Sequence, residues 1–407
     1  MINQDWYRGI MPQQKIRILQ IIPALLMGGP GYAVSGLIEN LDRARYDLTL
    51  CTMYELPTSM EIPLPALEQG IPWVRLRMKR FLEVRAWRCL NRLIHGGKFD
   101  IVHTHLTRAD WYGRTAARLR SYPKIVSTIQ NQDRFVYVAE LGALRGRVVA
   151  TLNRLSMPLA DKLVAVSEGV REYLLGVEGI PPKKVAMVRN AIQLEQFDPS
   201  VDDARRTQQR LGIPENAFVI GTVAVLNTRK GLVHLVRAAR TVVSQVPQSY
   251  FLLVGGGPQE AELRQLVASL GLEGRVLLCG QVNHTEVLSF VRAMDVFVLP
   301  SLIEGFPLAI LEAQALEKPC VVTNIPGSRE AVAPGQTAIV VPPGEEYPLA
   351  DAILSLFADE QKRKAMGKAA RRFVEEHYAA SRMAGKYEEV YEEVLRVRRS
   401  PTHSEAE

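Results

Sequence analysis

Short apolar runs recur along the first half of the chain, at 16–22, 48–53, 101–104, 125–129 and 163–166. Between them lie stretches in which apolar residues return with a helical period. Runs of this length fit buried strands, so the alternation predicts a parallel sheet wrapped by helices. A polar segment from about 193 to 216, with Pro199 and Pro214 as breakers, is the expected linker. The pattern then restarts at 218–224, 250–254, 275–278, 296–299, 320–323 and 338–341. The expected class is therefore α/β, with two doubly wound domains, residues 1–195 and 196–375. A charged helical stretch over about 362–397 follows, and 398–407 reads as a flexible tail. Doubly wound sheets bind ligands beyond the carboxyl ends of their strands, so two facing each other would share one cleft.

A length of 407 residues agrees with two cores rather than one. No run approaches the ~20 apolar residues of a membrane-spanning helix. Residues 1–15 are polar and lack the apolar centre of a secretory leader, and Met11 is an alternative start. Cys51, Cys89, Cys279 and Cys320 are far apart and form no metal-type pair, which suits reduced thiols in a cytoplasmic protein.

Charge changes the picture more than composition does. Residues 1–195 hold 27 Lys and Arg against 17 Asp and Glu, and the remainder 23 against 26, so the basic half should face something anionic. Between Val74 and Lys98 stand Arg75, Arg77, Lys79, Arg80, Arg85, Arg88 and Arg92, with Glu83 the single acid. Arg85, Arg88 and Arg92 share one helical face, while Leu82, Ala86, Cys89, Leu90 and Leu93 share another, with Trp87 near the boundary. That pattern fits an interfacial helix on anionic lipid, or a core helix with a solvated basic face. Nucleic acid is a poorer partner, since aromatics are few and no recognition module is legible.

The densest chemistry lies in Glu304-Gly305-Phe306-Pro307-Leu308-Ala309-Ile310-Leu311-Glu312. Pro307 suits the first turn of a helix whose apolar stripe is Leu308, Leu311, Ala315 and Leu316. Glu312 falls on that stripe, where a carboxylate needs a polar partner such as a ligand hydroxyl, unless it reaches water at the core's edge. The Gly305 and Phe306 amides at the helix mouth suit an anion such as phosphate. Gly28-Gly29-Pro30-Gly31 follows the first strand and lets amides approach a phosphate, but Val34 stands where a dinucleotide fingerprint needs its third glycine. Gly255-Gly256-Gly257-Pro258 likewise has Glu260 at its last position, which disfavours a nicotinamide enzyme. Either glycine cluster can also be a tight turn. Arg229 and Lys230 follow the strand at 218–224 and are placed to neutralise a diphosphate, although a solvated surface pair is the plainer reading. His103 and His105 alternate on one strand; they can be a metal pair, core residues or, for His105, a cleft residue, and His95 is badly placed as a third ligand. No metal site is expected.

Together these residues resemble the GT-B glycosyltransferases of retaining family 4, over about 16–391. The most specific match runs from Val298-Leu299-Pro300-Ser301-Leu302-Ile303 through Glu304 to Pro307, then Glu312-Ala313 and Pro319-Cys320-Val321-Val322. Weaker matches are Gly28-Gly29, Val102-His103-Thr104-His105, Ala165-Val166-Ser167-Glu168, Arg189-Asn190-Ala191-Ile192, Lys230-Gly231 and Gly255-Gly256-Gly257-Pro258.

The resemblance implies two Rossmann-like domains across a deep cleft, an acceptor-binding and membrane-associating N-terminal one and a nucleotide-sugar-binding C-terminal one. Helix 376–397 would pack back on the first. Glu304 would bind donor-sugar hydroxyls, Gly305, Phe306, Pro307 and Leu308 would line the sugar and phosphates, and Glu312 would hold the ribose. Lys230 would neutralise the departing diphosphate with Gly28 and Gly29 opposite, and His105 would lie near the anomeric carbon. Gly280, Gln281 and Val282 would receive the base. The implied activity is metal-independent and cofactor-free transfer of a sugar, from a UDP-sugar or GDP-mannose, to a lipid-linked or saccharide acceptor at the inner face of the cytoplasmic membrane. Retention without a certain nucleophile is compatible with attack on the face the leaving group departs from. This sequence departs from the family at Val225, a usual arginine that Arg229 would replace, at Gln130, a frequent histidine, and at Ala191 and Gln193. Those departures keep two other readings open: a nucleotide-sugar 2-epimerase of the same fold, and a sugar-nucleotide-binding protein without turnover.

Overall fold

The computed structural model describes residues 14–25, 28–55, 62, 64–79, 83–119, 123–133, 135–136, 142–201 and 203–396. Met11, Arg80, Leu82 and the tail at 398–407, which entered the sequence reading, lie outside the described residues.

Two wholly parallel sheets organise the chain. In the first, β1 (Ile16–Ile22), β2 (Tyr46–Thr52), β3 (Trp73–Arg75), β4 (Ile101–His105), β5 (Lys124–Ile129), β6 (Lys162–Ala165) and β7 (Val185–Met187) lie in the order β3-β2-β1-β4-β5-β6-β7. The second takes β8 (Phe218–Val223), β9 (Ser249–Val254), β10 (Val276–Gly280), β11 (Val296–Leu299), β12 (Cys320–Thr323) and β13 (Ala338–Val341) in the order β10-β9-β8-β11-β12-β13. Central strands are buried on both faces, which is why they read as continuous apolar runs. The edge strands β3 and β7 were missed in the sequence reading; each is only three residues long and is not fully buried.

Helices α1 (Gly29–Asn40), α2 (Val84–Gly97), α3 (Thr107–Arg118) and α4 (Ala143–Ser156) flank the first sheet, with α3 packed between α2 and α4. In the second domain α5 (Leu232–Gln245) packs against a later helix at Glu346–Ala358, and α6 (Leu308–Ala315) follows β11. The polar segment expected as linker contains a helix at Ala204–Arg210, so the irregular part is shorter than its composition suggests.

Two expectations are corrected here. The final helical stretch is two helices, α7 (Glu360–His377) and α8 (Ala380–Arg396), because the chain crosses between the domains at Tyr378 and Ala379. There Ile192 N–H donates to the Tyr378 carbonyl at 3.0 Å and Ala380 N–H to the Ile192 carbonyl at 2.9 Å, so the two crossings brace each other. The second correction is α6, which is buried on every side rather than along one stripe, with Pro307 as its cap. It is enclosed by β11, β12 and α7, and its first residue, Leu308, faces Gly29 of the first domain.

Beyond the crossing, α8 lies over the first sheet. Its Tyr391 hydroxyl meets His103 Nδ1 at 2.7 Å and Gln20 Nε2 at 3.1 Å, and Tyr387 meets Thr128 at 2.8 Å. Lys162 Nζ pairs with Glu393 at 2.6 Å.

Candidate active site

Strand order reverses between β1 and β4 in one sheet and between β8 and β11 in the other. At such a point the loops from neighbouring strand ends diverge and leave a crevice. The singled-out residues fall there: Gly28 after β1, His105 at the end of β4, Arg229 and Lys230 after β8, and Glu304 to Pro307 after β11.

Because β8 and β11 are neighbours, Lys230 and Glu304 meet. Lys230 Nζ lies 2.5 Å from Glu304 Oε1, and Ser301 Oγ donates to the same oxygen at 2.7 Å. Ser301 is fixed in turn by Thr323, whose hydroxyl donates to its carbonyl at 2.5 Å. Gly231 makes the approach possible. At φ 61° it turns the chain in the left-handed region, and a Cβ there would strike the Pro300 carbonyl.

Two helix mouths oppose each other across the domain boundary. Gly28 caps α1 and Pro307 caps α6, and a Cβ built on Gly29 would sit 3.8 Å from Leu308. Unpaired amides at both mouths favour an anion between them. Gly305 closes the same boundary from the other side, where a Cβ would collide with the Gln130 carbonyl at the end of β5. Gln130 Oε1 accepts from Asn190 Nδ2 at 2.8 Å. A histidine ring at 130 would not reproduce that amide pairing.

Glu312 is 8% exposed, and its carboxylate accepts no hydrogen bond from the described residues. Burial pushes its pKa up to about 7. Tyr32 of α1 is close enough for burial, and then the Glu312 charge, to push its phenol upward as well. A carboxylate buried there without a hydrogen-bond partner is disfavoured in its charged form.

Gly255 and Gly257 pack on the backbone of Ala224 and Leu226, where a Cβ would overlap main-chain atoms. The close approach accounts for the glycines as a turn. The turn leads to Gly280, whose carbonyl accepts from Gly255 N–H at 2.9 Å, and to the neighbouring Gln281 and Val282. Arg229 is half-buried, and its carbonyl holds the Leu302 amide at 2.7 Å, while Val225 is exposed.

His105 is buried at 1% exposure, and burial pushes its pKa down to about 3. Its Nε2 meets Gln20 Oε1 at 2.8 Å, and its ring lies 4.0 Å from that of His103. Since an amide oxygen only accepts, the proton is on Nε2 and Nδ1 is an acceptor, without a partner among the described residues. No cluster of metal-ligating type occurs among the described residues.

The basic helix differs from the interfacial expectation. Arg85, Arg88 and Arg92 are exposed, but Ala86, Leu90 and Ile94 are buried against the core, and Trp87 Nε1 donates to Thr115 of α3 at 3.0 Å. Its apolar side is therefore already covered by protein. Cys89, assigned to that side, is exposed beside the arginines because it lies one turn from Arg85.

Sequence reading missed two clusters. Glu330 of the second domain accepts from the Glu168 amide at 2.8 Å and from Arg189 Nε at 3.0 Å, clamping the domains together. Fully buried Arg114 bonds Ser127 and Asn153 and pairs with Asp110. Nearby Asp133 is pushed up to about 7 by burial and then by Asp110, and accepts from Thr107 and Asn153. Arg114 and Asp133 were unflagged charges, since no spacing marks a partner on another element.

Comparison with known proteins bears on this arrangement. The family described as "Glycosyl transferases group 1" matches residues 203–373, and "Glycosyl transferase 4-like domain" matches 28–191. UDP-Gal:alpha-D-GlcNAc-diphosphoundecaprenol alpha-1,3-galactosyltransferase of Escherichia coli is 28% identical over 77% of this chain and 80% of its own. N-acetyl-alpha-D-glucosaminyl L-malate synthase of Bacillus anthracis is 30% identical, covering 67% and 68% respectively. Among solved structures, Anabaena HepE in complex with UDP-glucose superposes with a TM-score of 0.77 over 93% of this chain and all of its own, at 22% identity.

Proposed function

This chain belongs to the GT-B glycosyltransferases of the family 4 type, and from that premise we propose that it moves a hexose from a UDP-sugar to a lipid-linked or saccharide acceptor, with retention and without a metal. The observation that carries the reading is the Lys230–Glu304–Ser301 cluster beside the opposed mouths of α1 and α6. An ammonium has three donors and Lys230 spends one on Glu304, so the others can meet a diphosphate. Both bonds to Glu304 fall on Oε1, which leaves Oε2 for sugar hydroxyls.

The leaving group is a nucleoside diphosphate, which needs charge neutralisation more than a proton. Lys230, Arg229 in place of the arginine absent at Val225, and the amides from Gly28, Gly29, Gly305 and Phe306 supply it as the bond to the anomeric carbon breaks. Glu312 accepts the ribose hydroxyls, Gly280 to Val282 receive the base, and His105, neutral through burial, lies on the acceptor side. Lipid linkage of the acceptor is favoured by the basic N-terminal domain and by the diphosphoundecaprenol substrate named for the Escherichia coli relative. The protein would then work as a peripheral enzyme at the inner face of the membrane.

The test is turnover of UDP-glucose, UDP-galactose, UDP-GlcNAc and GDP-mannose in EDTA, with and without a polyprenyl diphosphate-linked sugar. Transfer from a UDP-sugar in EDTA is the expected result. Release of an altered sugar nucleotide without acceptor would mean an epimerase, and binding without turnover would mean a binding protein.

A further inference from the structure

Helix α4 carries an apolar stripe that no described part of the chain covers. Leu144, Val148 and Leu155 are 79%, 53% and 70% exposed, and half-buried Leu152 lies on the same side. Their spacing of four, seven and eleven residues sets one line along the helix, opposite the buried Gly146, Ala150 and Asn153. Leu144, Val148 and Leu152 line a shallow groove with Arg147 and Thr151. Exposed leucines usually occur singly, so a continuous row marks a contact surface.

The charges bordering the row identify what it contacts. Arg147 lies on one side and Arg145 on the other, both exposed; Arg154, beside Arg147, is paired with Glu178 at 3.3 Å, and α4 contains no acid. Through α3 this helix shares a layer with α2, whose exposed Arg85, Arg88 and Arg92 extend the basic surface. A second copy meeting the row about a twofold axis would set arginine against arginine. Phosphate headgroups over acyl chains match an apolar centre with cationic borders.

We propose that the face formed by Leu144, Val148 and Leu155 with Arg145 and Arg147 is the surface by which this protein docks on an anionic lipid bilayer. The apolar row enters the acyl boundary and the arginines stay at the phosphates. α2, whose apolar side is buried in protein, adds charge without inserting. Because α4 is the next long helix after β5, which ends at Gln130 beside Gly305, docking here brings the bilayer to the acceptor side of the cleft. The inference extends the lipid-linked acceptor of the proposed function, yet vesicle binding needs neither donor nor acceptor. Its failure would leave sugar transfer standing, and loss of transfer would leave docking standing.

Co-sedimentation with vesicles of equal parts phosphatidylglycerol and phosphatidylcholine tests it, against phosphatidylcholine alone, with gel filtration and light scattering alongside. Wild-type protein should bind the anionic vesicles. Leu144→Ser/Val148→Ser/Leu155→Ser and Arg145→Gln/Arg147→Gln should each weaken that binding by about tenfold or more, with melting temperatures unchanged. Absence of wild-type binding, undiminished binding by the serine variant, or a wild-type dimer that the serine variant splits would each overturn the proposal. The dimer result would assign the face to a second copy.

Discussion

Lys230 Nζ stands 2.5 Å from Glu304 Oε1, although 74 residues separate them in the chain. Their side chains are 17% and 6% exposed, so the contact is a largely dehydrated ion pair rather than a surface bridge. Removing one partner strands the other charge, which is costlier than removing both. Lys230→Ala and Glu304→Ala should each lower stability by about 3 kcal/mol, and the double variant by less than their sum. Stability would recover in part in the double variant while turnover would not. Urea denaturation beside transfer assays reads both, and additive losses in stability would show that the pair is uncoupled.

Glu312 gives a pH dependence with a definite sign. Its carboxyl ionises near 4.5 when unperturbed and at about 7 in the folded protein, so over that interval the folded state holds the proton more tightly. The stabilisation is complete below about 4.5 and lost as pH rises through about 7, up to about 3 kcal/mol in all. Glu312→Gln keeps the shape and cannot ionise. Its melting temperature relative to wild type should rise between about pH 5 and pH 8. Asp133 titrates in the same window but cancels in the comparison. A constant difference across that range would mean that Glu312 does not titrate there.

Gly305→Ala tests the domain boundary. The added methyl meets the Gln130 carbonyl, a backbone atom that cannot rotate away, so the loop and β5 must separate. Transfer should fall by about a hundredfold or more, since an ångström of misplacement is enough for that. The unfolding midpoint should change little, because the clash lies between the domains and not within either core. Unchanged turnover would mean that this contact is absent in the working enzyme.

Tyr391→Phe should show how firmly α8 ties the second domain to the first. The hydroxyl serves both Gln20 and His103, and all three residues are fully buried. Its loss should cost about 1–3 kcal/mol for each group left without a partner. Tyr387→Phe should cost less, since Thr128 keeps its bond to His103. Equal effects would contradict this account of the network.

Strand positions were legible because parallel strands covered on both faces must be apolar, and β1, β11, β12 and β13 begin and end where their apolar runs do. The three-residue edge strands of the first sheet, β3 and β7, were not, since so short and half-exposed a segment carries little such constraint. In the site, the motif from Glu304 to Glu312 drew attention to two carboxylates and a helix mouth. Nothing in it showed that Ser301 and Lys230 share one oxygen of Glu304, or that α6 would be buried all round. The basic helix misled for a related reason: amphipathicity reports that one side is covered, and not whether protein or lipid covers it. The same holds for α4, whose apolar side faces outward, while on neighbouring α3 a charged residue, Arg114, is fully buried.

The sequence by itself determined the two α/β domains, the glycine turns and the helix mouths, because strand burial, backbone conformation and helix ends depend on residues close together along the chain. Tertiary structure decided the rest: the pairing of Lys230 with Glu304, the meeting of Gly305 with Gln130, the bracing of Ile192 against Tyr378, and which helix presents an apolar face to solvent. These depend on which strands lie side by side and where the chain crosses between domains. Contacts across 74 to 288 residues leave no periodic trace, because their energy comes from burial and charge pairing in space.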